Sequence, residues 1–106
     1  LVSKIKDLGM YADGIFMIGF PGENKDDIEA TVELADSLGL DDATFCIATP
    51  FPGTILYKDC LRKGYIKKDI LLEDLRFAKG NITTKEFSPR YLEKIRKDAW
   101  LKVNLS

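Results

Sequence analysis

The chain has 106 residues, of which 45% are hydrophobic and 31% are charged, and its formal net charge is −1. This length allows at most one domain with a single modest core, and the composition is that of an ordinary globular chain. No apolar run is long enough to cross a membrane and no signal-peptide pattern is present, so a cytoplasmic location is predicted. Two cysteines and no histidine exclude a metal site built from nearby Cys and His side chains.

Charge is unevenly spread along the chain. Residues 1–57 hold three Lys/Arg against ten Asp/Glu, a balance of −7, and residues 58–106 hold thirteen against seven, a balance of +6. Solvated helix faces of opposite sign explain this asymmetry without a ligand. The basic half lacks the interleaved aromatic and basic residues that bind single strands, so nucleic acid is a weak candidate partner.

The first predicted element is the end of a helix. Leu1, Ile5 and Leu8 recur at helical spacing ahead of Gly9, which suits the position just after a helix. Because the chain has no initiator Met and begins inside an element, we expect a fragment of a longer protein. A short domain with a processed N-terminus is the alternative.

Two buried parallel strands with a helix between them follow. The strands are predicted over residues 13–20 and 43–48, because both are nearly continuous apolar runs, which are typical of a parallel sheet covered on both faces. Asn24 is placed to cap the intervening helix, and Gly39 is placed to end it. The apolar face of that helix is predicted at Ile28, Val32, Ala35 and Leu38.

Two further helices and an irregular stretch complete the predicted elements. A short helix is predicted over residues 54–63 from its capping Thr and following Gly, and one helical turn over residues 71–75. Residues 81–87 form either a loop or an edge strand. The C-terminal helix has Ser88 as its N-cap and Pro89 at its first position. Its apolar stripe is predicted at Leu92, Ile95, Ala99 and Val103, widened by Trp100.

The turns that follow the two strands are the candidate functional segments. Residues 19–23 are Gly-Phe-Pro-Gly-Glu, and residues 49–54 are Thr-Pro-Phe-Pro-Gly-Thr. In parallel α/β architectures ligands bind at the carboxyl ends of strands, so the two turns are predicted to be neighbours across one pocket. Neither turn has the spacing of a phosphate-binding loop, which disfavours nucleotide hydrolysis.

Candidate ligand contacts come mainly from the first turn. Ile18 and Phe20 could cover a flat apolar ring, and Glu23 supplies one charge. Gly19 and Gly22 would let the backbone come close to a ligand. The alternative is that both segments are tight turns whose glycines and prolines only shape the chain.

Together, residues 14–23 and 42–57 resemble the C-terminal part of a radical S-adenosylmethionine (SAM) enzyme core, above all its cobalamin-associated branch and the methylthiotransferases. The resemblance covers residues 1–65 well and the helix near the C-terminus more loosely. It implies an α/β fold, a fragment of a (β/α)6 partial TIM-type barrel that holds the last two βα units and then a C-terminal helix. Residues 1–65 would be these units, and residues 66–106 a trailing loop and helix of the same domain.

The resemblance also implies a cofactor site. In that family the strand before the first turn lays apolar side chains and backbone against the adenine of SAM, and the last strand and its turn border adenine or substrate. The family's looser G-x-I-x-G-x-x-E pattern fits only with one extra residue before Glu23, which leaves the role of this carboxylate open. The cofactor-binding residues implied are Ile18, Gly19, Phe20, Pro21, Gly22, Glu23, Ala48, Thr49 and Pro50.

A [4Fe–4S] iron–sulfur cluster is implied as well, held in the family by three cysteines spaced C-x-x-x-C-x-x-C, and this chain does not contain them. Its Cys46 and Cys60 are predicted to be buried thiols. The expected function is that of part of a radical SAM enzyme that carries out methyl transfer, methylthio transfer or oxidative cyclisation. The isolated chain is expected to bind no cluster and to be inactive, while its substrate and the use of cobalamin stay open.

Two other functions stay open. One is a non-catalytic α/β module that binds a partner protein through its strand edges or its basic helix. The other is a TIM-barrel enzyme without radical chemistry, for which Glu23 is the only candidate side chain. A barrel fragment and a small module would both expose unpaired strand edges, so dimerisation through strand pairing is expected of either.

Overall fold

The computed structural model describes residues 2–105, with all side chains except those of Val2, Ile5 and Lys6. The predicted order of strands and helices is confirmed in this range, and none of its helices is long and apolar enough to cross a bilayer. The elements are α1 (Val2–Asp7), β1 (Asp13–Ile18), α2 (Lys25–Ser37), β2 (Asp42–Ile47), α3 (Ile55–Lys63), a 3₁₀ turn (Leu72–Asp74) and α4 (Pro89–Asn104).

The two strands pair in parallel, with Phe16 beside Phe45 and Met17 beside Cys46. Helices α2 and α4 pack on one face of this sheet, where the rings of Phe16 and Phe45 stack with their centroids 5.5 Å apart. On the other face Ile15 is 71% exposed and Met17 is partly exposed. The expectation of a sheet covered on both faces is therefore wrong for residues 2–105. An apolar run indicates that a face of the sheet is to be buried, but it does not show which residues bury it.

The core consists of two adjoining clusters of buried side chains, and α4 contributes to both. The cluster nearer the carboxyl ends of the strands includes Ile18, Ile28, Ile47, Cys60, Ile82 and Leu92. The other includes Val32, Ala35, Ala43, Phe45 and Ala99. The predicted apolar positions of α2 and α4 lie in or against these clusters except for Leu38, which belongs to neither. Trp100 is exposed and does not widen the stripe of α4.

The predicted helix caps are confirmed. Asn24 Oδ1 accepts from the Asp27 amide (2.8 Å), and the Asp27 carboxylate accepts from the Asn24 amide (3.0 Å), so the two residues form a capping box. Thr54 and Ser88 each accept a hydrogen bond from the amide three residues on. Gly64, with φ at 73°, ends α3 in the left-handed conformation that favours glycine.

Three predicted features differ in detail. The first strand ends at Ile18, two residues before the predicted end, because the next two amides bond to a side chain of the following turn. Residues 81–87 form no strand, so the loop alternative holds. At the N-terminus α1 ends at Asp7 and Leu8 is exposed, whereas Leu1 and the side chain of Ile5 lie outside the described residues.

Side chains of α4 close the outer edge of β2. Asn104 accepts from the Ala43 amide (2.9 Å) and donates to the Ala43 carbonyl (3.0 Å), so one side chain satisfies both groups as a neighbouring strand would. Arg96 Nε donates to the Phe45 carbonyl (2.8 Å). In contrast, no strand within residues 2–105 pairs with the outer edge of β1. The sheet thus has one capped edge and one edge without a strand partner in this range.

Replacing Asn104 with alanine is expected to lower the free energy of unfolding by about 1–3 kcal/mol, because the part-buried amide and carbonyl of Ala43 both lose their partner. Urea denaturation measures this loss. Lys97→Ala, at an exposed position of the same helix, is the control and should change stability by less than about 0.5 kcal/mol. Equal stabilities of the two variants would show that Asn104 does not hold the strand edge.

Candidate functional site

The two strand-end turns lie side by side at the carboxyl edge of the sheet, as predicted, and the pocket between them stays a prediction. The strands are parallel, and pairing continues one step past β2, where the Ala48 amide donates to the Ile18 carbonyl (2.8 Å). Gly19 (φ 91°) and Gly22 (φ 100°) take left-handed conformations that let the chain turn sharply after β1. Both turns therefore border the same end of the sheet.

The carboxylate of Glu23 holds the first turn closed. Its Oε1 accepts from the amides of Gly19 and Phe20, each at 2.8 Å, and the Glu23 amide donates to the Phe20 carbonyl (3.1 Å). These are the amides that could otherwise meet an anionic ligand. The geometry thus gives Glu23 a structural role and removes two donors that a phosphate would need.

Gly19 also permits a close approach between β1 and α4. A Cβ atom at this position would lie 2.9 Å from Cδ1 of Leu92, whose side chain is fully buried. The absence of a side chain therefore lets Leu92 pack against the end of the strand. This packing explains the glycine without a ligand, and backbone contact with adenine at Gly19 stays a prediction.

The second turn is buried at its start and is bonded within itself. Ala48, Thr49 and Pro50 are all buried, and the Thr49 hydroxyl donates to the Ile47 carbonyl (2.9 Å). The Phe51 amide donates to the Thr49 carbonyl (3.0 Å). These residues form the frame of the turn, and its accessible surface comes from the residues that follow them.

Apolar side chains dominate the accessible surface near this end of the sheet. Phe20 is 41% exposed and Phe51 is 39% exposed, and Met17 is partly exposed at the end of β1. Among the nine predicted cofactor residues, five are buried in the frame of the turns: Ile18, Gly19, Ala48, Thr49 and Pro50. The others, Phe20, Pro21, Gly22 and Glu23, retain exposed surface. This surface fits a flat, uncharged ring such as adenine better than a phosphate.

Phe77 belongs to this end of the sheet, although the sequence analysis gave it no role. Its carbonyl accepts from the Ile47 amide (2.8 Å), which extends the capped edge of β2. Its ring meets the Phe51 ring edge to face, with centroids 6.0 Å apart and planes at 83°. The contact joins residues far apart in sequence, so no local spacing could have predicted it.

The chain's own residues do not fit an iron–sulfur cluster. Within residues 2–105 no group of three His, Cys, Asp or Glu side chains could hold a metal ion. Cys60 is fully buried, as predicted, and burial followed by the charge of Asp59 raises its pKa, which disfavours the thiolate that binds iron. Cys46 is only half-buried on β2, so the prediction of a second buried thiol is wrong.

A cavity of about 810 Å³ lies away from the predicted site, between residues 64–83 and the start of α4. Its wall carries charges of both signs, and several of them are paired. Lys79 Nζ lies 2.8 Å from Asp74 Oδ1, and Glu93 Oε2 accepts from the Gly80 amide (3.3 Å). These contacts hold the loop in place. They do not indicate which class of ligand the cavity would bind.

Comparison with known proteins places this geometry in context. No family model matches the chain. An uncharacterized methyltransferase of Pyrococcus horikoshii is 47% identical over 57 residues, which are 54% of this chain and 12% of the relative. The cytidylyl-2-hydroxyethylphosphonate methyltransferase of Streptomyces wedmorensis is 30% identical over 88 residues, which are 77% of this chain and 16% of the relative. The chain is homologous to part of the radical SAM enzymes.

The methylthiotransferase side of the resemblance is matched as well. The tRNA-2-methylthio-N(6)-dimethylallyladenosine synthase of Nitrosomonas europaea is 46% identical over 48 residues, which are 45% of this chain and 10% of the relative. The predicted relationship to radical SAM methyltransferases and methylthiotransferases is thus confirmed as partial homology. The chain spans between 10% and 16% of the length of these three relatives.

Proposed function

We propose that the chain forms the last two βα units of the partial barrel of a radical SAM enzyme. The unequal edges of the sheet are the observation that carries this proposal. Asn104, Arg96 and the loop at Phe77 close the outer edge of β2, which suits a final strand. The outer edge of β1 has no strand partner within residues 2–105, which suits pairing with a preceding strand.

The uncovered face of the sheet supports the same architecture. Ile15 and Met17 of β1 lie beside Thr44 and Cys46 of β2 in the strand register, on the face away from the helices. In a β/α barrel the helices cover the outer face and the inner face lines the interior. One segment of a barrel wall would present such a row of uncharged, partly apolar side chains, which no helix of residues 2–105 covers.

Methyl or methylthio transfer is the reaction we propose for the whole protein, ahead of oxidative cyclisation. The names of the relatives support this choice, since two are methyltransferases and one forms a methylthio group on an adenosine of tRNA. A cytidylyl compound and an adenosine both carry a nucleobase. We therefore propose that the substrate of this protein also carries a flat, unsaturated ring. Cobalamin as a second cofactor rests on the resemblance alone. A cytoplasmic location rests on the resemblance and on the lack of a signal-peptide pattern in the sequence.

The first turn is where we place the adenine of SAM. The exposed surfaces of Phe20, Met17 and Gly22 would contact the ring, and the buried residues of both turns would hold them in place. Glu23 would act indirectly, by keeping the first turn closed through its hydrogen bonds to the Gly19 and Phe20 amides. Bound SAM together with a reduced cluster would supply the radical chemistry, and the cluster ligands would lie outside this chain.

The isolated chain is expected to be inactive, which anaerobic reconstitution tests. After incubation of the 106-residue chain with iron and sulfide and removal of unbound metal, no charge-transfer absorption of a bound cluster should remain, because two distant thiols cannot replace three ligands. A longer form that includes the proposed preceding strands and cluster cysteines is the positive control. Cluster absorption from the isolated chain would contradict this division of roles.

The protein-interaction module remains the second candidate function, because β1 presents an edge without a strand partner in residues 2–105. Strand pairing in a dimer of the isolated chain would use β1, since the backbone groups on the outer edge of β2 are occupied.

The boundary between the βα units and the trailing segment, at residues 65/66, stays a proposal. Contact of α4 with β2 supports one domain across it.

A further inference from the structure

We infer that Phe51 and Phe77 form an aromatic wall at the end of β2 that binds the flat ring of the substrate by stacking. The inference rests on the proposed function and adds a substrate contact to it. Phe77 lies at the outer edge of β2, on the side away from β1 and from the turn where we place adenine. The wall is therefore distinct from the proposed cofactor surface.

The ring geometry leaves surface free for a ligand. The two rings meet edge to face at 6.0 Å, so they support each other, yet Phe51 remains 39% and Phe77 48% exposed. In such a pair the faces that do not touch the partner stay open to a third ring. Stacking of a nucleobase on an aromatic side chain is worth about 1–3 kcal/mol per base.

The loop that carries Phe77 is ordered before any ligand arrives. Lys79 Nζ pairs with Asp74 Oδ1 (2.8 Å), and Asn81 Nδ2 donates to the Asp74 carbonyl (2.8 Å). The Ile47 amide fixes the Phe77 carbonyl to β2. A ligand that stacks on this ring would not have to order the loop, so little of the stacking energy would be lost.

The wall offers two aromatic faces for stacking. Its neighbours in the second turn are prolines, and Asp74 and Lys79 of its own loop are paired with each other, whereas Arg76, directly before Phe77, is exposed. The aromatic faces suit a flat ring, and the nearby guanidinium is compatible with the phosphate that a nucleotide carries. The ring would be the base of a nucleotide-type substrate, as the proposed function anticipates.

Nuclear magnetic resonance of the 106-residue chain with ¹³C-labelled phenylalanine tests the inference, with cytidine 5′-monophosphate as the probe. The ring signals of Phe51 and Phe77 should shift in a saturable way, and ribose 5-phosphate, which lacks a base, should leave them unchanged. Phe77→Leu should weaken binding by about fivefold or more, as expected for the loss of base stacking. Leu72→Ala, another exposed apolar position of the loop region, should bind as the parent chain does.

Each of these results would overturn the inference: no shift at the two rings, an equal shift with ribose 5-phosphate, or unchanged binding by Phe77→Leu. The Ile47 amide signal checks that the variant keeps its loop on β2. S-adenosylhomocysteine separates the wall from the cofactor site. Shifts at the Phe20 and Gly22 amides with this compound, and none at the wall with the nucleotide, would refute the wall and leave the proposed function standing. Stronger shifts at the wall with S-adenosylhomocysteine than with the nucleotide would assign it to the cofactor and overturn the substrate role.

Discussion

The Gly80→Ala variant is expected to lose about 3 kcal/mol of stability, at the upper end of the range for overpacking. A Cβ atom on Gly80 would lie 2.5 Å from the Pro89 carbonyl oxygen and 2.7 Å from the Pro89 Cα. Both are backbone atoms at the start of α4 and cannot rotate away. The loop over residues 74–81 or the start of α4 must therefore move. Urea denaturation should show a lower midpoint with an unchanged slope.

Gly14→Ala is the matched control for this prediction. Its new Cβ atom would also be crowded, 2.7 Å from Leu40 Cδ1 and 2.9 Å from a ring carbon of Phe16, but these are the ends of side chains that can shift. The loss of stability should therefore be smaller than for Gly80→Ala. A loss at Gly14 that equals or exceeds the loss at Gly80 would show that the loop and α4 are not as closely packed as described.

The Glu23→Ala variant is expected to lose about 2–3 kcal/mol, because hydrogen bonds to a charged group are worth about 1.5–3 kcal/mol and two amides are released together. Gly19 is buried, so its amide would not readily find water. Glu23→Gln keeps an acceptor oxygen without the charge and should lose about half as much. Urea denaturation measures the stability, and amide hydrogen exchange locates the change.

Exchange at the Gly19 and Phe20 amides should accelerate in Glu23→Ala by more than global destabilisation explains. Glu29→Ala, which removes an exposed carboxylate from α2, is the control and should leave both amides protected. In the full-length protein, opening of this turn should also weaken SAM binding. Unchanged exchange at both amides would contradict the closure of the turn by Glu23.

Local chemistry predicted most elements of the fold. The caps at Asn24, Thr54 and Ser88 follow from side chains that bond to amides three residues away, and such bonds depend only on nearby sequence. The apolar spacing of α2 and α4 likewise identified side chains that the structure buries. The two βα units and the neighbouring turns could therefore be derived before the structure was known.

Long-range contacts could not be derived in this way. Asn104 satisfies Ala43 across 61 residues, and Phe77 reaches the end of β2 through one backbone bond. Neither contact has a periodic or turn signal. Glu23 is different, because an acidic side chain four residues after Gly19 can reach back to the amides of a Gly-Phe-Pro-Gly turn. That closure was present in the sequence as a local signal, although the prediction included Glu23 among the candidate ligand contacts and left its role open.

The central claim is tested most directly by measuring 5′-deoxyadenosine after the full-length protein that contains this chain is purified anaerobically and incubated with SAM and dithionite. A radical SAM enzyme should show the absorption of a reducible [4Fe–4S] cluster and release 5′-deoxyadenosine only when the reductant is present. Failure to form a cluster on reconstitution, together with no 5′-deoxyadenosine, would contradict the account and leave the strand edge of β1 as the feature that carries function.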